Sequence, residues 1–133
     1  MMPKIELLPV VIDIETTGLD SLEHEILAIG IKWGRKENCE KVFCRDKDTS
    51  EFSVIYKTLI TLGQFLSPAI VGYNITNFDI PFIAARATKL GMDASIIRRL
   101  PRVDLTFNPL FIETYNLFDE RSQAFFIFQS SFH

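Results

Sequence analysis

Residues 10–18 read Val10-Val11-Ile12-Asp13-Ile14-Glu15-Thr16-Thr17-Gly18, an apolar run with two carboxylates set into its far end. Side chains alternate faces along a strand, so Asp13 and Glu15 share one face while Ile12 and Ile14 share the other. Two anions side by side at the end of a core strand repel and lose hydration unless something positive sits between them. A divalent cation meets that requirement. The run therefore predicts a central strand over 7–15 and an acidic metal site at its carboxyl end.

Working outward, Gly18-Leu19-Asp20-Ser21 reads as a turn. Residues 26–33 are apolar on both faces for most of their length, which predicts an internal strand. A polar turn over 34–38 then leads to a third strand at Lys41-Val42-Phe43-Cys44, completing an antiparallel meander. Thr49 or Ser50 can cap a helix over 50–66, with Phe52, Ile55, Leu59, Leu62 and Leu66 at helical spacing. Ala69 to Asn74 is a short buried strand, and Asn77 is expected to cap a second helix ending at Gly91. Pro81 fits the first turn of that helix, where a missing N–H removes no intrahelical bond. A last short strand is expected near Arg102-Val103-Asp104-Leu105. This order predicts an α/β fold, a mixed sheet of antiparallel meander followed by parallel strands, flanked by helices.

With 133 residues the chain suffices for a single domain. The expected division is a motif-bearing core over 7–91 and a short, atypical C-terminal part over 101–133. Hydrophobic residues make up 47% and charged residues 23%, which argues against disorder. No apolar run approaches the ~20 residues of a membrane span, and the N-terminus lacks the layout of a signal peptide. Cys39 and Cys44 have neither metal-ligand spacing nor a nearby pair of histidines. Together these features predict a cytoplasmic protein with reduced thiols and no membrane partner. A net charge of −3 excludes a strongly basic nucleic-acid coat but not an enzyme acting on nucleic acid. Seven of the twelve phenylalanines fall between Phe107 and Phe132. A tail of that kind must bury itself, pair with a second copy or another chain, or leave an aggregation-prone edge.

The second dense stretch is Gly72-Tyr73-Asn74-Ile75-Thr76-Asn77-Phe78-Asp79-Ile80-Pro81-Phe82-Ile83. Here a strand ends, the chain turns, and a helix begins with Asp79 in its first turn. Open α/β sheets build their sites at the carboxyl ends of strands. If this strand lies parallel to and beside the first, Asp79 comes within reach of Asp13 and Glu15. Taken alone, Asp79 is more often a charge satisfying free N–H groups at a helix start.

These two motifs, in this order, resemble those of the DEDD superfamily of 3′→5′ exonucleases. The second is similar to the version found in the exonuclease domains of family B DNA polymerases. The resemblance implies a ribonuclease H-like fold, shortened at its C-terminus, and removal of nucleotides from single-stranded DNA or RNA 3′ ends by a two-metal mechanism with Mg²⁺ or Mn²⁺. It assigns Asp13, Glu15, Asp79 and a fourth acid as ligands. Tyr115-Asn116-Leu117-Phe118-Asp119 fits the family's tyrosine motif, making Tyr115 and Asp119 the preferred pair over the alternative Asp104. Thr16, Thr17, Gly18 and Leu19, with Asn74, Asn77 and Phe78, are expected to line the pocket for the terminal nucleotide. Phe78 either stacks on a base or belongs to the core. Arg98, Arg99 and Arg102 either contact phosphate or solvate a loop. A polymerase-type partner for the Phe-rich tail is also implied. The competing expectation is a catalytically weak exonuclease-like module that binds nucleic acid or assembles with another chain.

Overall fold

The computed structural model describes residues 6–34 and 39–106. Strand β1 (Leu8–Thr16) pairs antiparallel with β2 (Ile26–Trp33), which pairs antiparallel with β3 (Glu40–Cys44). Helix α1 (Glu51–Gln64) then crosses to β4 (Pro68–Gly72), which lies parallel to β1. A π-helical turn (Ile75–Asp79) runs into α2 (Ile80–Lys89), followed by the short helix α3 (Ser95–Arg99) and β5 (Arg102–Asp104), parallel to β4. The spatial order is β3-β2-β1-β4-β5. This is the mixed sheet expected from the sequence, with one helix, α3, that the sequence reading passed over.

The alternation in the opening run fixes which way β1 faces. Ile12 and Ile14 pair with Ile31 and Ile29 of β2, and all four are buried in the core. Asp13 and Glu15 lie on the opposite face, directly across from Gly30 and Ala28. Helix α1 starts where Ser50 accepts a hydrogen bond from the Ser53 N–H at 3.1 Å. Its inward stripe is Val54, Ile55, Thr58, Leu59, Thr61 and Leu62. Phe52 and Leu66 depart from the expected stripe. Phe52 is 43% exposed and stacks on Tyr56, while Leu66 lies past the helix end and is 88% exposed. Both fit a helical period, but the true buried face is centred on Val54 and Leu62. Trp33 packs against Phe65 with ring centroids 5.1 Å apart. Cys39 and Cys44 are free thiols. Among the described residues no helix is long and apolar enough to cross a membrane.

A buried ion pair ties the helices to the sheet. Arg86 of α2 donates from Nε and Nη2 to the two carboxylate oxygens of Glu51, at 2.9 and 2.6 Å. Glu51 Oε2 also accepts the Ile26 N–H at 2.7 Å, so one carboxylate braces α1, α2 and the start of β2. Both side chains are almost wholly buried. Removing one partner of such a pair strands the other charge in a low-dielectric interior. Arg86→Met should therefore lower unfolding free energy by about 3–5 kcal/mol. The double variant Arg86→Met/Glu51→Leu should regain part of that loss, leaving a deficit of about 1–3 kcal/mol for the orphaned Ile26 N–H. Urea denaturation checks both, and an Arg86→Met protein as stable as wild type would refute the brace.

Candidate active site

The two acidic motifs meet because β4 runs parallel to β1 and ends early. The paired register is Leu8↔Pro68 through Val11↔Val71, so beyond Val11 the β4-side edge of β1 needs other partners. Asp79 supplies one, accepting a hydrogen bond from the Ile14 N–H. It is only 4% exposed. Burial, then the neighbouring charge of Asp13, pushes its carboxyl up to about 8. Asp79 and Asp13 are thus electrostatic neighbours at the carboxyl end of the first strand. Glu15 lies two residues further on the same face of β1.

The turn that carries Asp79 is built by three local devices. Gly72 allows close approach: a Cβ there would stand 2.5 Å from Ile75 Cγ2 and 3.2 Å from the Ile12 carbonyl oxygen. Asn74 adopts φ 55°, ψ 26°, a left-handed conformation that asparagine tolerates better than most side chains. The Ile80 N–H then bonds to the Ile75 carbonyl, adding one residue to the turn relative to an α-helix. Asn77 consequently sits inside the π-helical turn and does not cap α2. The expected cap fails because the bend occurs three residues earlier, at Asn74.

Asp104 holds this turn from the other side. Oδ1 accepts from the backbone N–H groups of Asn74 at 2.9 Å and Thr106 at 3.0 Å, and Oδ2 from Thr76 at 3.1 Å. Burial alone would raise its carboxyl, but these N–H donors and the Thr106 hydroxyl hold it below the usual carboxylate range. Both oxygens serve the fold. Tyr115, Asp119 and the Phe-rich segment lie outside the described residues.

The loop after Glu15 is clipped to the start of β2. The Thr17 N–H donates to the Glu25 carbonyl and the Thr17 hydroxyl accepts the Glu25 N–H, each at 2.9 Å. Thr16 donates its hydroxyl to the Gly18 carbonyl at 2.6 Å. Gly18 lies against the His24 ring, where a Cβ would come within 2.4 Å of Cδ2. Arg86 and Lys89 of α2 donate to the carbonyls of Ser21 and Leu22, anchoring the far side of the loop. Leu19 is 85% exposed at the loop tip. Across the turn, Phe78 packs against the core edge with its ring centroid 5.4 Å from that of Phe82. Asn74 and Asn77 are exposed.

Carboxylate oxygens suit hard cations such as Mg²⁺ and Mn²⁺. The chemistry of the donor set fits, since the buried Asp79 carboxyl is raised by burial and by the neighbouring charge of Asp13, and a cation would oppose both effects. Gly30 and Ala28, across from Asp13 and Glu15 on β2, are both small, a feature legible in the alternation Ala28-Ile29-Gly30-Ile31 but missed from the sequence. Among the described residues no three acidic, histidine or cysteine side chains converge closely enough to enclose an ion by themselves.

The sequence pattern of the RNase H superfamily matches residues 10–117. The chain belongs to that superfamily. Among its relatives is an uncharacterized protein of Methanocaldococcus jannaschii, 34% identical over 96 residues, spanning 71% of this chain and 51% of that protein. Its fold is similar to part of the family B DNA polymerase of Pyrobaculum calidifontis, with TM-score 0.63 and 25% identity over 87% of this chain and 16% of the polymerase. It is also similar to Escherichia coli exonuclease I in its zinc-bound complex with single-stranded DNA, with TM-score 0.58 and 15% identity over 75% of this chain and 28% of that one. The chain thus spans about half of its curated relative and smaller parts of the two solved structures. The superfamily's ribonuclease H-like fold is the one the sequence motifs implied.

The raised carboxyl of Asp79 makes stability depend on pH with a definite sign. Between the ordinary Asp value of about 3.9 and about 8, the folded protein holds a proton that the unfolded chain has released. Stability therefore falls as pH rises through that window. In EDTA, the wild-type Tm should decline from pH 5 towards pH 8, and Asp79→Asn should flatten this slope. Parallel profiles for the two proteins by calorimetry would contradict the assignment.

Proposed function

We propose that this chain is a metal-dependent 3′→5′ exonuclease acting on single-stranded DNA or RNA ends. The observation that carries the reading is the buried Asp79 carboxyl, raised to about 8 beside Asp13 at the end of β1. Such a pair is a poor structural choice and a good cation site. Membership of the RNase H superfamily and the likeness of fold to exonuclease I support it.

Asp13, Glu15 and Asp79 would hold two divalent cations, with Asp119 as the fourth acid. Bound cations of this kind activate a water and neutralise charge growing on the scissile phosphate and the leaving 3′-oxygen. The chain's own groups do the positioning. Asp13 and Glu15 are fixed by the β1–β2 ladder, and Asp79 by the Ile14 N–H and the π-helical turn. The clipped loop of Thr16, Thr17, Gly18 and Leu19 forms one wall of the terminal-nucleotide pocket, and Asn74, Asn77 and Phe78 the other. Tyr115 would align the attacking water. Asp104, with both oxygens engaged by backbone N–H groups, is a positioning residue for the turn.

Two measurements test this reading. A 5′-labelled single-stranded oligonucleotide incubated with Mn²⁺ or Mg²⁺ should be shortened stepwise by wild type and not by Asp13→Ala. Absence of metal-dependent laddering above that control, with oligonucleotide binding retained, would favour the binding-module alternative. Relief of carboxylate repulsion should also raise the wild-type Tm in millimolar Mn²⁺, by more than in Asp79→Asn.

A further inference from the structure

A second concavity lies away from the acidic pair, between α2 and the corner formed by α3 and β5. It encloses about 220 Å³ and is lined by Pro81, Ala84 and Ala85 of α2, by Thr76 of the π-helical turn, and by Arg98 and Arg102. Among the described residues that line it, none is acidic. Ile80, Pro81, Ala84 and Ala85 make its apolar floor, and Arg98 and Arg102 border it. Guanidinium forks match phosphate oxygens in geometry as well as charge. The space therefore suits one nucleotide unit, with its sugar or base over the alanines and its phosphate at the arginines.

The corner is internally braced. Arg102 Nη2 donates to the Arg98 carbonyl at 2.9 Å, joining β5 to the last turn of α3. Arg99 is next in sequence but does not line the cleft.

The cleft's position relative to the acids follows from the sheet order. Asp79 reaches the Ile14 N–H on β1, while the Thr76 N–H reaches Asp104 on β5. β4 lies between those two strands. The acids and the cleft therefore flank opposite sides of one short turn.

We propose that the Arg98–Arg102 cleft is a phosphate subsite for the substrate strand. It takes an internal phosphodiester of a single strand whose 3′ end lies at Asp13 and Asp79. The strand's polarity rests on the exonuclease reading above; the subsite itself rests on the cleft.

Fluorescence anisotropy of a labelled oligo(dT) on the full chain, in EDTA over a range of KCl concentrations, tests the subsite without turnover. Arg98→Gln should weaken binding roughly fivefold and reduce the slope of log K against log salt by about 0.7. Arg99→Gln makes the same charge change outside the cleft and should weaken binding by less than about twofold. Equal effects of the two substitutions, no effect of Arg98→Gln, or no oligonucleotide binding by wild type each overturn the proposal. Because Arg102 also braces the corner, Arg102→Gln is read only alongside an unchanged melting curve. Inorganic phosphate at matched ionic strength should leave oligonucleotide affinity unchanged. Displacement by phosphate alone that Arg98→Gln abolishes would assign the cleft to a free anion and overturn the strand assignment. In the cleavage assay, Arg98→Gln should raise KM for the oligonucleotide and leave dinucleotide hydrolysis as in wild type. If wild type cleaves neither, the exonuclease reading falls while the binding comparison still decides the subsite.

Discussion

Asp79 fills a gap in a hydrogen-bond ladder with a group that its surroundings disfavour as an anion. β4 leaves β1 after Val71, and the Ile14 N–H beyond it finds the Asp79 carboxyl. An asparagine could accept that hydrogen bond without carrying a charge into the interior. A carboxyl there, with Asp13 beside it, costs stability at neutral pH for no structural return. The surrounding devices all serve its placement: the absent Cβ of Gly72, the left-handed Asn74, the additional residue of the π-helical turn, and the hydrogen bonds of Asp104. Such a local inconsistency is enforced from several sides of the turn.

The sheet was legible because its signals are local and redundant. Alternation in Ile12-Asp13-Ile14-Glu15 fixed the faces of β1, and the two-sided apolar run over 26–33 marked an interior strand. The parallel docking of β4 followed from strand–helix–strand order. The turn before α2 was less legible. Asn74 and Asn77 are both plausible punctuation for a helix start, and nothing in the sequence alone distinguishes an asparagine that caps from one that bends into the left-handed region. The grouping of Phe52 and Leu66 with Ile55, Leu59 and Leu62 at one helical spacing failed for a similar reason. A period of 3.6 residues fits more than one stripe on a 14-residue helix, and only the tertiary partner selects among them.

The Glu51–Arg86 brace shows what a linear reading misses altogether. Its partners are 35 residues apart, and each looks like an ordinary exposed charge on an amphipathic helix. In the fold both are buried, and Arg86 also reaches the Ser21 carbonyl. The brace therefore couples the helix layer to the loop that follows the first acidic motif. A loop held only by its own turn residues would sample many conformations. This one is clipped at Thr17 to Glu25, packed at Gly18 on His24, and anchored at Ser21 and Leu22 to α2. The wall beside the acids is preorganised by helices remote from it in sequence.

Two aspartates near one turn, Asp79 and Asp104, are separated by their hydrogen-bond partners. Asp104 has backbone N–H donors on both oxygens, so its charge is satisfied within the protein and its carboxyl is held low. Asp79 accepts from Ile14 and from its own backbone N–H, too little to offset burial and the charge of Asp13, so its carboxyl is pushed high. The same residue type, on two sides of one turn, is thus tuned in opposite directions by donor supply. Burial and like charge act on Asp79 from the side that faces β1, where Asp13 and Glu15 lie across from Gly30 and Ala28. Arg98 and Arg102 line the cleft on the β5 side. The net charge of −3 describes the whole chain, whereas the field at each side of the turn is set by the groups placed there.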